Sequence, residues 1–490
     1  MRIEATGRGR ARALGIALAV ALISAAVVAA TARTPAMAQG GSGDVPCETV
    51  AAPDVSFGAP VVIDEARAGG EPVSVIAKDG SINVSAHAGT THIYKDPLAL
   101  PGAGDFAVGY FNQTLNWRST DGGATWKYVG FAGQPVGPHS ATSTGFSDPD
   151  FAIDQAGNIY NVEIDLANDS VFKSTDDGQS YPIANPVAGA GDRPWLTALE
   201  PDEVFLYINL PKMLRYSTDP LLVQWQTLPT PPISSKAMPD PLNPNDGLIG
   251  PVGLGKFAIS GDDARTWKTH SFGPLGKSTQ FFGVVAVDRA GNVYQAAAGG
   301  YEGPDDTSPS GEVTFTYYER ATGRTNSQLI ELPIPPGDAL WPWIVAGDDG
   351  RVAVAWYQNH AGAPNMFYAY AGITHNGLGT EVKCSDGTTK HVPPQFDVEN
   401  VSGKPIHVGA ICLEGTACNA ERTFEGGDRR LGDFYSINFD LEGNVFIASA
   451  DTTLPNPLGG PKPVGNPIFV KQSSGPKLLG KPIPPRPTPP

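Results

Sequence analysis

One connector constrains this chain more than any other feature. It is Asp-x-x-Gly-Asn, set between two apolar runs. Residues 148–164 read DPDFAIDQAGNIYNVEI, residues 280–296 read QFFGVVAVDRAGNVYQA, and residues 432–448 read GDFYSINFDLEGNVFIA. An Asp carboxylate accepts backbone N–H groups across a tight turn, and Gly tolerates positive φ there. Each copy therefore reads as a β-hairpin. Looser copies occupy 71–86 and 341–357, and 192–208 keeps both strands without the glycine. Long helical patterns are absent, while 58 Gly and 46 Pro punctuate short apolar runs, so the chain reads as all-β.

A second repeat runs in phase with the first. It is Ser-x-Asp-x-(Gly or Ala)-x-(Thr or Ser)-aromatic, written STDGGATW at 119–126, STDDGQSY at 174–181 and SGDDARTW at 260–267. The positions that define it are Ser119, Asp121, Gly123 and Trp126; Ser174, Asp176, Gly178 and Tyr181; and Ser260, Asp262 and Trp267. Ala264 stands where the other copies have Gly, which predicts a strained turn. YSTDPLLVQW at 216–225 resembles a decayed copy. Hairpin, third strand, octapeptide turn and fourth strand make a four-stranded unit, and its repetition predicts a β-propeller. Six hairpins give six blades; a degenerate blade inside the Pro-rich insertion 229–259 would make seven. VSFGAPVVI at 55–63 has no hairpin partner, and the last unit is one strand short, so the N-terminal strand is expected to complete the final blade.

The octapeptide resembles the Asp box of bacterial sialidases and related propellers, over about residues 50 to 475. That resemblance implies the fold and a structural role for the boxes. It does not supply a catalytic set. Sialidases surround a sugar carboxylate with three arginines, the first in a Phe/Tyr-Arg-Ile-Pro motif on the first blade. Here the first hairpin begins GGEPVSV, and Arg193-Pro194 in the third unit is only an echo.

Propeller ligands bind where the inner strands converge, so the residues opening those strands are the candidates. They are Asp148 and Asp150; Asp192, Arg193 and Trp195; Gln280 and Phe281; Trp341 and Trp343; and Arg430, Asp433 and Tyr435. Rings beside carboxylates and guanidiniums suit a sugar. The same groups also suit packing and ion pairs between blades. Two readings follow: a binder of extracellular glycan or polymer without sialidase chemistry, and a glycosidase or lyase with a rearranged site. A surface protein–protein scaffold is a third. A funnel rich in paired carboxylates would favour the enzyme.

The N-terminus carries Arg2, Arg8, Arg10 and Arg12, an apolar run from Leu14 to Ala30, and Ala36-Met37-Ala38 as a cleavage site. Residues 1–38 are therefore expected to be a secretory signal peptide and the mature protein extracellular, a retained anchor being the alternative. Residues 39–49 read as a linker, 50–472 as the propeller and 473–490 as a Pro-rich disordered tail. Without the signal, 29 basic residues face 49 acidic ones, a net charge of −20. That excludes nucleic acid as a partner, since phosphate needs a basic face. No P-loop, H-E-x-x-H, G-x-S-x-G or EF-hand pattern occurs, so no metal or cofactor is expected. Four cysteines in an exported chain favour disulfides. Cys412 and Cys418 flank the short LEGTA and are expected to pair, in preference to a zinc site with His391 and His407; Cys47 and Cys384 are then the residual pair.

Overall fold

The computed structural model describes residues 45–87, 91, 114–130, 147–165, 168–303, 310–332, 334–335, 337–413, 429–457 and 463–485. The expected signal peptide, most of the linker, and Cys418 lie outside them. The described residues form no α-helix. None of their segments is a helix long and apolar enough to cross a membrane.

Seven antiparallel sheets make a seven-bladed β-propeller. Blade 1 comprises Gly70–Ile76, Ile82–His87, Thr114–Ser119 and Lys127–Gly130. Blade 2 comprises Ser147–Ile153, Ile159–Asp165, Asn168–Ser174 and Ile183–Gly189. Blade 3 comprises Asp192–Ala198, Val204–Leu210, Met213–Ser217 and Gln226–Leu228. Blade 4 comprises Met238–Pro239, Leu248–Pro251, Lys256–Ser260 and Lys268–Ser271. Blade 5 comprises Val284–Val287, Val293–Gly299, Glu312–Tyr318 and Thr325–Ile330. Blade 6 comprises Ala339–Ala346, Val352–His360, Ala363–Thr374 and Asp397–Asn400. Blade 7 takes Ser436–Phe439, Val445–Asp451 and Asn466–Ser474, and its outer edge is the N-terminal pair Ser56–Phe57 and Val61–Val62. Phe57 stands opposite Gln472 and Val61 opposite Phe469, so the ring closes with strands from both ends of the chain.

Blade 4, which begins inside the Pro-rich insertion, is the additional blade that brings the count to the seven left open by the sequence. Its first strand is two residues long, and its hairpin turn is DPLNPNDG instead of Asp-x-x-Gly-Asn. Asp240 still organises that turn: its carboxylate accepts Leu242 N–H at 3.0 Å, and its own N–H reaches Gly247 O at 2.9 Å.

Burial falls from the axis outwards. Second strands lie between neighbouring blades and are buried on both faces, as in Val293–Gly299 and Val445–Asp451. Fourth strands such as Lys268–Ser271 are largely exposed. The hairpin turns are polar staples. Asp288 is fully buried and accepts Ala290 N–H (2.9 Å), Asn292 N–H (2.9 Å) and side-chain NH₂ (2.9 Å), Tyr294 O–H (2.7 Å), and Gly350 N–H of the next blade (3.0 Å). Asp154 repeats this for Asn158, Tyr160 and Asp202 N–H of blade 3.

The octapeptides are the turns between third and fourth strands of blades 1, 2 and 4. In the first, Asp121 accepts Ser119 O–H at 2.8 Å and Thr125 N–H at 2.9 Å, and Trp126 Nε1–H donates to Gly123 O at 3.1 Å. The Thr125 hydroxyl, above all, holds the Asp121 carboxyl down at about 2. Gly123 needs its left-handed φ of 96°, and a Cβ there would meet the Phe469 ring at 2.0 Å. Ala264 keeps a left-handed φ of 61° in the third copy, a strained conformation for a residue with a Cβ. The 216–225 segment retains the geometry with one residue inserted: Asp219 accepts Leu221 and Val223 N–H, Leu222 has φ 58°, and Trp225 Nε1–H reaches Leu222 O.

The tail differs from expectation. Leu478 and Leu479 are buried, and Leu478 exchanges backbone hydrogen bonds with Asp348 and Gly443 at the hairpin turns of blades 6 and 7. Ile483 N–H donates to Leu441 O. Pro-rich composition forbids a ladder, but two adjacent leucines and a row of exposed turn groups suffice to dock an extended segment. Residues 486–490 lie outside the described chain. Cys47 and Cys384 form a disulfide, which ties the N-terminal segment to the hairpin Thr380–Lys383/Thr389–Val392 emerging from blade 6. Cys412 is buried.

Candidate active or binding site at the axial mouth

Four inner strands open with the same device. Gly70-Glu71-Pro72, Ser147-Asp148-Pro149, Asp192-Arg193-Pro194 and Leu340-Trp341-Pro342 each place a left-handed residue before a proline, with φ of 51°, 51°, 58° and 49° respectively. Proline offers no N–H to the ladder, so the strand bulges there. The register breaks between Gly70 and Val73, Ser147 and Asp150, and Leu340 and Trp343, and Arg193 has no cross-strand partner in blade 3. A left-handed non-Gly residue costs of order 1–3 kcal/mol, and such strain gathers at functional sites.

The bulges bring charged groups together. Glu71 is fully buried; its Oε1 accepts Asp433 N–H at 2.7 Å, and its Oε2 lies 2.7 Å from His87 Nε2. Only glycine fits beneath it, since a Cβ on Gly432 would sit 1.9 Å from Glu71 Cγ. Asp433 accepts both terminal nitrogens of Arg429, at 3.2 and 3.4 Å, and faces Arg193 at 3.6 Å. The Arg193 guanidinium lies 4.7 Å over the Phe281 ring. Asp148 pairs with the Ser147 hydroxyl. Asp169, at the start of the third strand of blade 2, is fully buried, and neither of its carboxylate oxygens has a hydrogen-bond partner.

Burial is the main cause that raises the Glu71, Asp148 and Asp169 carboxyls well above the usual range. The neighbouring acids add to it: Asp433 for Glu71, Glu71 and Asp192 for Asp148, and Asp148 and Asp192 for Asp169, which is pushed up to about 8. Among the described residues, five carboxyl groups (Glu71, Asp148, Asp169, Asp192, Asp433) thus act on one another and on the guanidiniums of Arg193 and Arg429.

Below the charges the axis is plugged. Trp195 packs against Phe282, Trp343 and Phe434 at ring separations of 5.0, 5.8 and 5.3 Å. Beneath the plug lies a cavity of about 200 Å³ with mainly apolar walls, among them Val73, Phe151, Ile344 and Ile437. None of the five clustered acids lines this cavity, so the hollow and the ionisable cluster are different places.

The candidates from sequence divide accordingly. Asp148, Asp192, Arg193, Phe281 and Asp433 meet at the mouth. Asp150 is two residues deeper and serves as a strut: it accepts Leu196 N–H at 2.8 Å and Lys236 Nζ at 2.7 Å, binding blades 2 and 3 to the segment that enters blade 4. Trp195 and Trp343 belong to the plug. Trp341 and Tyr435 are buried around Tyr357, which stacks on Tyr435 at 4.3 Å between blades 6 and 7. Gln280 is spent on Phe282 O and Ala298 N–H. Arg430 donates to Thr452 O at 3.0 Å; its neighbour Arg429 reaches Asp433 and Glu71. Glu71, His87, Asp169 and Arg429 were not anticipated. The Xaa-Pro dipeptide heading four inner strands is a signal that points to Glu71. Asp169 has none, because its strand is not an inner one.

No family model matches the chain, and no curated protein does. Similar solved structures include YCF48 from Cyanidioschyzon merolae (10% identity, covering 84% of this chain and 98% of that one, TM-score 0.43). Others are a GH74 enzyme from Niastella koreensis (14%, 68% and 47%, 0.42) and an alpha-L-arabinanase from Penicillium chrysogenum complexed with arabinobiose (12%, 88% and 99%, 0.35). This chain spans about half the length of the Niastella enzyme. Identities and scores this low do not say what the chain binds.

Proposed function

We propose that this protein is a secreted Asp-box propeller that binds an extracellular carbohydrate at the axial mouth and lacks sialidase activity. The observation that carries the reading is the set of strained strand heads, which gathers carboxyl and guanidinium groups from blades 1, 2, 3 and 7 above an aromatic floor. Such groups bond hydroxyls in pairs, and convergent polar groups over an apolar base characterise small-ligand sites. Sialidase chemistry needs guanidiniums free to clamp a ligand carboxylate. Here Arg429 is engaged by Asp433, Arg193 faces the same acid, and Arg430 donates to a backbone carbonyl. Secretion accords with the Cys47–Cys384 disulfide, which suits an oxidising compartment.

One observation favours a second reading, glycoside cleavage. Asp148 and Asp169 hold their protons to higher pH than ordinary carboxyls and lie within electrostatic reach of Asp192. A protonated acid beside another carboxylate is what protonating a glycosidic oxygen requires. A glycan array and a chromogenic-glycoside panel on the mature chain test both readings. Binding that Asp148→Asn weakens supports the mouth, and turnover that the same change abolishes supports the enzyme. Robust release of sialic acid, or glycan binding untouched by changes at Glu71, Asp148 and Arg193, overturns the proposal.

A further inference from the structure

Resting on the glycan-binding reading, we infer that the mouth recognises an amine-bearing saccharide, whose ammonium is held by the carboxyl groups of Asp148, Asp169 and Asp192. The charge distribution around Asp169 carries this. Asp169 is wholly buried, and neither oxygen has a hydrogen-bond partner. The charged groups that act on it are Asp148 and Asp192, both acids. Arg429 reaches Asp148 and Asp192, but Asp433 already takes both of its terminal nitrogens.

The wall beside Asp169 is glycine. A Cβ on Gly189 would stand 2.9 Å from Asp169 Oδ2, and the other close groups there are the apolar ends of Ile208 and Leu206. Among the described residues no donor bonds either Asp169 oxygen. A buried carboxyl group without a donor must keep a proton or gain a cation. A proton satisfies it in the free protein, where burial and the two acids raise its affinity for one. A ligand ammonium would replace that proton and form charge-assisted hydrogen bonds to the cluster. Asp192 is partly exposed, so the ammonium arrives across it, with Asp148 and Asp169 behind.

The same field disfavours the alternatives. An acidic sugar would bring a carboxylate towards Asp169, on which the acids Asp148 and Asp192 already act. A neutral sugar would leave Asp169 as it is. Among the described residues no three His, Cys, Asp or Glu side chains converge as a metal cage.

Calorimetric titration tests this, using oligosaccharides of the gluco, galacto and manno series, each offered as the free amine and as its N-acetyl form. The mature chain and its Asp169→Asn and Asp192→Asn variants are compared. The expected result is a free amine in at least one series binding about tenfold more tightly than its N-acetyl partner. That ratio should shrink to about two- to threefold in each variant. Equal affinity for both forms overturns the ammonium subsite and leaves the mouth as a neutral glycan site. Absence of binding by every member overturns both readings. A full amine preference retained in both variants overturns the assignment to these acids.

Discussion

Asp169→Asn should stabilise the protein, and increasingly so as pH rises. The fold holds this carboxyl at about 8, against its ordinary value of 3.8. The folded state therefore binds the proton more tightly than the unfolded chain. Stability is retained below about pH 4, lost as pH rises towards 8, and constant above. At about 1.4 kcal/mol per decade of proton activity the full difference corresponds to roughly 6 kcal/mol. Relaxation and water entry around the ionised group bring the expected cost to about 3 kcal/mol at pH 8 and about 1 kcal/mol at pH 5. Asparagine has the same shape, and no hydrogen bond to either Asp169 oxygen is there to be lost. The variant should gain those amounts, read as a shift in urea midpoint at constant slope at the two pH values. Destabilisation at pH 8, or the same change at both values, would refute the claim that an unpaired buried acid is being held there.

Asp150→Asn should do the opposite and cost about 3–5 kcal/mol, because Lys236 then loses its buried counter-charge; urea unfolding reads this too. Asp288→Ala strips a buried acceptor from five donors and should cost about 4 kcal/mol, while Asp288→Asn, which keeps one oxygen, should cost less. Deleting residues 45–65 removes the outer strands of blade 7 and the carboxylate that accepts Trp117 Nε1–H, so cooperative unfolding should be lost in a calorimetric scan. Leu478→Asp should release the tail from the blade 6 and 7 turns, which limited proteolysis would detect as cleavage beyond Ser474.

The all-β class and six hairpins were legible because second strands are sandwiched between blades and must be apolar throughout. Those runs dominate the sequence, as VYQAAAG and VFIASAD show. The octapeptides were legible for a different reason: their Ser, Asp and Thr bond one another within eight residues, so the chemistry is local. Blade 4 was hidden because its inner strand is two residues and its turn uses Asp240 at a different spacing. The site was only half legible. Strand heads could be guessed from the hairpins, but a bulge shifts which residue faces the axis. That is how Trp195 came to lie in the plug, and how Glu71 was overlooked beside its proline. The choice between Arg429 and Arg430 depends on a local twist that adjacent identical residues do not reveal.

The two ends of the inner strands answer to different demands. At the hairpin ends Asp154, Asp288 and Asp440 recur with the same Asn four residues on, and make the same bonds. A repeated residue in a repeated place is what a structural staple requires. At the other ends the backbone is again repeated, with a left-handed residue before proline in four blades, yet the side chains are Glu, Asp, Arg and Trp. Closing the ring needs no such variety, and two of the four, Glu71 and Asp148, are acids whose burial opposes folding above the usual carboxylate range. Trp341 packs between blades and accounts for itself. The other three do not, and the strain and desolvation they carry are offset by the rest of the propeller. Uniform staples at one rim and varied, strained heads at the other are what support the proposal that this rim binds a ligand.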